Sequence, residues 1–351
     1  MTRGTAAVRL LARHPWPMRA AGAVAVVGGF AAVPQLVSGF YASLALNVLI
    51  FGLLAMSLDL LAGYAGLLSF GHAAWLGLGA YAIGYAEHRM WTPWQSVGFA
   101  FLAVTVVALA FGLIAVRVTG LTFGIVTMAL GGILWGLAFR WVAVSGGDNG
   151  LPISFRPKIG GLDLTNGKTY YYAVLVVFVV CAVLMRTIVA SPFGLTLRGI
   201  MDNEGRMRTL GYSVGLHKYL GYVLSALFGG VAGMLYGFYN LYVGPAALDM
   251  SHNFLTVMMV VLGGMGTLWG GLVGAAVVVS FQQWVSLYVD RWSMVLGAIF
   301  ILTILFARRG LYGTLLAAWR GLVRRHEPRD PLSEARSPSD EQASARLIDS
   351  R

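Results

Sequence analysis

The chain is written almost entirely as apolar runs of about twenty residues, the length at which a helix crosses the hydrocarbon core of a bilayer. Short polar turns separate the runs. Of 351 residues, 58% are hydrophobic and 11% charged, well under the roughly 25% charged residues of soluble domains. Inside a bilayer every backbone N–H and C=O must be satisfied within the structure, so only helices and closed barrels can span. Runs this long select helices. The expectation is an all-α, polytopic membrane bundle of about ten transmembrane helices, some of them broken.

The runs fall at about residues 20–38, 44–61, 69–85, 96–116, 121–139, 170–189, 221–241, 254–262, 270–288 and 293–306. Two glycine-rich interruptions stand out, Gly63-Tyr64-Ala65-Gly66 and Gly263-Gly264-Met265-Gly266. Either could turn the chain or let it re-enter the membrane. Gly63, Gly66, Leu68 and Gly71 match Gly263, Gly266, Leu268 and Gly271 in spacing. In a chain with 46 glycines that match reads first as a shared way of breaking a helix, and second as a trace of duplication. Glycines also let membrane helices approach closely.

Charge orients the bundle. The net charge of +11 does not point to nucleic acid, because the basic residues sit in alternate loops and at both ends. Arg3, Arg9, Arg13, His14 and Arg19 precede the first run, Arg117 follows the fourth, and Arg308, Arg309, Arg320, Arg324 and Arg325 follow the last. The other side keeps few basic residues, among them Arg89, Arg156, Lys158 and Arg291. This asymmetry places both termini in the cytoplasm of a multi-pass protein of the cell membrane. Residues 1–19 are then a basic cytoplasmic segment, residues 20–322 the membrane domain, and residues 323–351 a tail too poor in apolar side chains to fold alone. Cys181, alone in an apolar run, reads as a small packing residue.

Residues 191–218 form the longest polar break well inside the apolar sequence. Ser191 followed by Pro192 is a helix start, with proline in the first turn where its missing N–H is not needed. Leu197, Ile200 and Met201 recur on one face. Asp202 or Asn203 suits the cap of a second short helix carrying Glu204, which Gly211 would stop after Leu210. A small amphipathic helix held at a membrane surface by apolar flanks suggests a docking element for another protein; the plainer alternative is a helix lying on the lipid headgroups.

Chemistry inside the membrane is sparse. The sequence holds no G-x-x-x-x-G-K-[ST] phosphate loop, no H-E-x-x-H or paired Cys-x-x-Cys metal motif and no visible catalytic set. No cofactor is expected. Asp59, Arg140 and Arg186 fall near run ends, leaving the centres almost uncharged, which weakens an ion-coupled mechanism and favours a passive pore or a permease powered by another subunit. Asn47, Ser69, His72 and Thr127 are candidates to face a translocation path, with Ser57, Thr122, Asn240, Gln282 and Gln283 behind them. Against each stands the ordinary role of such residues, a hydrogen bond to the backbone or to a neighbouring helix. The exterior turn at Asp148 and Asn149 is either a plain turn or a contact for a delivered solute.

Several motifs in order carry a family resemblance. Residues 57–72, SLDLLAGYAGLLSFGH, residues 121–130, LTFGIVTMAL, and residues 145–151, SGGDNGL, resemble the LivM-type permeases of branched-chain amino acid ABC importers. So do the polar loop SPFGLTLRGIMDNEGRMRTLGYSV, residues 261–271, VLGGMGTLWGG, and residues 306–311, FARRGL. The resemblance covers about residues 40–315 and implies a transport subunit that is not itself an enzyme. It would pair with a second permease of LivH type, two cytoplasmic ATPases and an exterior substrate-binding protein. By the same resemblance, Arg198, Asp202, Asn203, Glu204, Arg206, Leu210 and Gly211 would form the ATPase-coupling loop, and charge reversal at Glu204 and Arg206 would uncouple transport without preventing insertion. The implied solutes are leucine, isoleucine and valine or a similar small polar molecule. Urea or short amides, and a self-sufficient channel, are the alternatives. The chain departs from the family pattern at Met201, Gly205, Met207 and Gly132.

Overall fold

A computed structural model describes residues 27–36, 39–154, 156, 158–159, 162–288, 292–306 and 310–314. The basic segment 1–19, the tail 323–351, and the readings placed on Asp290, Arg291, Arg308 and Arg309 lie outside the described residues. The described helices are α1 (Val27–Leu36), α2 (Gly39–Ala62), α3 (Ala73–His88), α4 (Pro93–Ala115), α5 (Leu121–Arg140), α6 (Val142–Ser145) and α7 (Gly167–Ala190). They continue with α8 (Pro192–Asp202), α9 (Glu204–Thr209), α10 (Val214–Asn240), α11 (Met250–Gly263), α12 (Trp269–Val285) and α13 (Trp292–Phe306). The only strands among the described residues are two-residue pieces: β1 (Leu151–Pro152) pairs antiparallel with β4 (Tyr242–Val243), and β2 (Lys158–Ile159) with β3 (Leu162–Asp163). The described residues up to Tyr312 belong to one compact unit, the membrane bundle.

The bundle is all-α, as the apolar runs require. Helix α2 is its axis: apolar on every side, it is buried almost continuously from Ala45 to Ala62, as expected of a helix surrounded by others. Helices α7, α10, α11 and α12 pack against it, and α3 packs on α10. They approach closely because small residues stand at the crossings. A side chain at Gly79 would run into the Gly230 carbonyl oxygen, and one at Gly233 would run into that of Leu76. Helices α4, α5 and α7 turn apolar side chains outward, among them Leu102, Leu113, Ile125, Ile133, Val176 and Val183. That is a surface suited to lipid or to another membrane subunit.

Five helices, α2, α4, α5, α7 and α10, are long and apolar enough to cross a membrane alone. Two of the others, α3 and α11, are too short to cross alone, and the reason is specific. At 16 and 14 residues, α3 and α11 reach about 24 and 21 Å, short of the roughly 30 Å core. Irregular chain makes up the difference, packed inside protein where its backbone groups find partners.

The depth of these breaks follows from contacts along α3. A side chain on Gly84 would meet Leu151 and Val243 at the β1–β4 end, and one on Gly77 would meet Leu248. The Ala73 N–H donates to the Asn253 Oδ1 at 2.7 Å. Eleven residues separate Gly84 from Ala73, so α3 and α11 begin about 16 Å inside the bundle from that end. Residues 63–72 climb to this level from the opposite end, where α8 and α9 lie. The sequence-based start of the third run at residue 69 is therefore corrected to Ala73.

Two further corrections concern α10 and the second glycine break. Helix α10 begins at Val214 rather than near residue 221, so Lys218 belongs to a membrane helix and not to the polar loop. The 263–266 break closes an antiparallel hairpin. A side chain at Gly274 would collide with the Met259 carbonyl oxygen, and one at Gly263 would collide with that of Gly270. The chain turns there.

Candidate functional site

Helices α8 and α9 form from local signals. The Ser191 side chain caps α8 by accepting from the Gly194 N–H at 3.4 Å, and Pro192 occupies its first turn. Asn203, of the two candidates, caps α9 by accepting from the Arg206 N–H at 2.9 Å. Gly211 ends the pair at φ +86°, a left-handed conformation that glycine adopts without strain.

The two helices are amphipathic against their own protein. Leu197 and Ile200 are buried, and Leu197 packs in a cluster with Leu61, Ala65 and Leu67. Met201 is exposed on one side, yet its Cγ would lie 2.8 Å from a side chain at Gly66. The face read from the sequence thus seats on the 63–66 turn. Arg198 reaches back over it, with Cζ 4.5 Å from the Tyr64 ring centroid, a cation–π contact that also covers the buried phenol.

Glu204 faces inward as well. Its carboxylate accepts from Lys218 Nζ and from Arg208, each at 2.5 Å. Lys218 is almost wholly buried at the base of α10, so the pair ties α9 to that helix. An uncompensated charge here would be costly. The outward residues are Asp202, Asn203, Arg206, Leu210 and Gly211, with Leu210 65% exposed. The seven residues of the expected coupling loop therefore divide: Arg198 and Glu204 grip the bundle, and the other five present a surface.

This division sets a pH dependence. The hydrogen bond from Lys218 holds the Glu204 carboxyl below its ordinary value, and Arg208 adds to the effect against a smaller desolvation push upward. A depressed acid contributes stability above its unfolded pKa and loses it as pH falls through the folded one. Amide protection across α9, corrected for intrinsic exchange, is expected to hold from neutral pH into the ordinary glutamate range near pH ~4 and to fall only below it. In Glu204→Gln that pH dependence should vanish. Protection that falls between pH ~7 and ~5 would point to a histidine instead.

The candidate path residues divide too. Ser69, His72 and Thr127 meet at the buried break before α3. Thr127 Oγ1 accepts from the Phe70 N–H at 3.2 Å, Ser69 Oγ from the Gly71 N–H at 3.3 Å, and His72 Nε2 lies 2.8 Å from Ser57 Oγ. These are the hydrogen bonds that an irregular segment needs inside a membrane bundle. His72 Nδ1 is buried with no hydrogen-bond partner among the described residues. Asn47 stands apart, bonded to the Ser43 carbonyl at 3.0 Å and to the Tyr239 hydroxyl at 3.3 Å.

Asp148 and Asn149 are exposed on a 3-10 turn (Gly147–Asn149). Asp148 borders a cleft of about 530 Å³ with Trp135, Phe139, Tyr236, Asn240 and Asp249.

Asp59 is the residue that sequence reasoning placed without understanding. It is fully buried, and its carboxylate accepts from the Gly266 N–H at 2.7 Å and the Leu268 N–H at 2.8 Å. It fixes the 264–268 break onto the 63–66 turn. The only sequence signal is an acid one turn before a glycine-rich stop.

The fold and the arrangement of its breaks define a multi-pass helical membrane protein built around discontinuous helices. The chain belongs to the family of branched-chain amino acid transport system permease components, whose model matches residues 17–304. It is 24% identical over 302 residues to the high-affinity branched-chain amino acid transport system permease protein LivM of Salmonella typhimurium, covering 79% of this chain and 71% of that one. The LivM protein of Escherichia coli matches to the same extent. The guanosine ABC transporter permease protein NupQ of Bacillus subtilis is 28% identical over 145 residues, 38% of this chain and 43% of that one. No solved structure matches the chain. Family and relatives agree on a transport role as a permease component.

Proposed function

We propose that this chain is the LivM-type permease of an ATP-driven importer in the cell membrane, with both termini cytoplasmic. A LivH-type permease completes the pore, two cytoplasmic ATPases power it, and an exterior binding protein delivers the solute. The solute is a branched-chain amino acid or a similar small polar molecule. The observation that carries the reading is the α8–α9 pair: seated by Leu197, Ile200 and Glu204, it turns Asp202, Arg206 and Leu210 outward at one end of the bundle. A small amphipathic pair whose apolar face is already buried on its own bundle, leaving charges beside exposed Leu195 and Leu210, suits a protein cleft better than a lipid surface. Asp148 and Asn149, at the opposite end, are suited to meet the binding protein. The Ser69–His72–Thr127 junction would lie beside the path, with Asn47 nearer the exterior mouth.

The test is a gentle affinity purification from native membranes followed by uptake in proteoliposomes. Two nucleotide-binding subunits and a second permease should co-purify, and ATP-dependent uptake of leucine should be competed by isoleucine and valine. Recovery of the chain alone across several mild detergents, with uptake independent of ATP, would overturn the importer in favour of a channel. Because NupQ is a guanosine permease by name, guanosine and urea belong in the same competition; preference for either would replace the solute while leaving the class.

A further inference from the structure

The turn after α2 is gripped from two sides. On one side α8 holds it: Arg198 covers Tyr64 at 4.5 Å, Met201 fills the space beside Gly66, and Leu197 packs with Leu61, Ala65 and Leu67. On the other side the turn holds the α11–α12 break. A side chain at Gly63 would collide with the Gly266 nitrogen, so the two backbones touch. Asp59, whose carbonyl accepts from the Gly63 N–H at 2.7 Å, clasps the Gly266 and Leu268 N–H groups. Where Gly63 meets Gly266 no side chain lies between the backbones, and close-packed protein of this kind transmits displacement rather than absorbing it.

The gripped break is itself a poised element. Leu268 sits at φ +58° and Gly264 at φ +109°. A leucine in the left-handed region persists only where its surroundings over-determine it, and here the surroundings include the Asp59 carboxylate. The break joins α11, whose far end meets Ala73 through Asn253 at the buried junction, to α12, which lies against α2 at Gly52 and Met56.

We infer that Tyr64 and Asp59 are positioning residues, which carry a displacement of α8 through the 63–66 turn into the α11–α12 break. The inference rests on the proposal that an ATPase moves α8 and α9. It adds a route: docking energy reaches the α11–α12 break through one bracket of residues 59–66, and passes from there along α11 to the buried junction. Arg198 supplies the grip on Tyr64, Asp59 the grip on the break, and each is needed for the other to matter.

The experiment uses the intact complex with its ATPases in lipid nanodiscs, on a Cys181→Ala background. Spin labels at Thr209 on α9 and at Met265 in the break, both exposed, are each paired with a label at Met90, which is 91% exposed near the β1–β4 end. Distances are compared with and without ATP–vanadate trapping. In the parent both distances should change. In Tyr64→Leu the Thr209 distance should still change and the Met265 distance should not, while ATP consumed per solute carried rises about fivefold or more. Tyr64→Phe, which keeps an aromatic face for Arg198, should restore both. Should Tyr64→Leu fail to assemble, Arg198→Gln removes the cation from outside the core and must give the same separation. A Met265 change equal to the parent's in Tyr64→Leu or Arg198→Gln would overturn the relay alone. A parent in which neither distance responds would overturn the docking reading, and the relay with it.

Discussion

Asp59→Ala is expected to strip the bundle of its closure between the two glycine breaks and to leave little folded protein. The substitution removes an acceptor for two backbone N–H groups, those of half-buried Gly266 and buried Leu268. Each orphaned donor costs about 1–3 kcal/mol, so the pair costs about 2–6 kcal/mol against a typical total of ~5–15. No smaller side chain at this position can reach both donors. Asp59→Asn keeps one amide oxygen and should lose about half as much, with its NH₂ facing a donor-rich pocket. The measurement is thermal unfolding of the detergent-solubilised protein beside its monodisperse yield from membranes. The alanine variant should unfold about 5 °C or more below the parent, with asparagine between. Parent-like melting of the alanine variant would mean that the carboxylate is dispensable and that the breaks are held by packing alone.

The second large effect is expected at the outer surface of α8–α9. Asp202→Arg combined with Arg206→Glu should cut ATP-dependent uptake by about tenfold or more, since like charges brought together at an interface cost several kcal/mol and each ~1.4 kcal/mol is a factor of ten. Membrane level and melting temperature should stay at parental values, because both side chains point away from the bundle. The sequence suggests Glu204 for this purpose, and the Lys218 pairing rules it out. Reversing Glu204 would leave a buried lysine facing another cation and would disturb the segment itself. Uptake at parental rates in the double reversal, at equal membrane level, would remove the outer surface from the mechanism.

These two sites mark the limit of what the sequence made legible. Helices α2, α4, α5 and α7 begin and end within a few residues of their apolar runs, because a long uniform run leaves the backbone no alternative in a bilayer. The α8–α9 caps were legible too, since Ser191 and Asn203 bond within three residues of themselves. The breaks were not. Residues 63–72 remain irregular because their donors find acceptors at Thr127 and Ser69 rather than in a helix, and the start of α3 is fixed by Asn253, 180 residues away. Lys218 reads as a loop residue by its charge, yet a partner 14 residues earlier lets it sit in the base of α10. Periodicity reports what a residue would do among its neighbours. It is silent where the deciding partner lies elsewhere in the chain.

The distance in sequence between Asp59 and its partners also has a consequence for how the protein is made. Gly266 lies 207 residues after Asp59. At roughly 5–20 residues per second, the ribosome needs about 10–40 s to supply it. Throughout that interval the insertion machinery must harbour an acidic residue near the end of the apolar helix α2 with its eventual donors not yet synthesised. Nascent chains released before residue 268 would keep that acid unpaired, giving membrane proteases a mark by which to tell unfinished copies from complete ones.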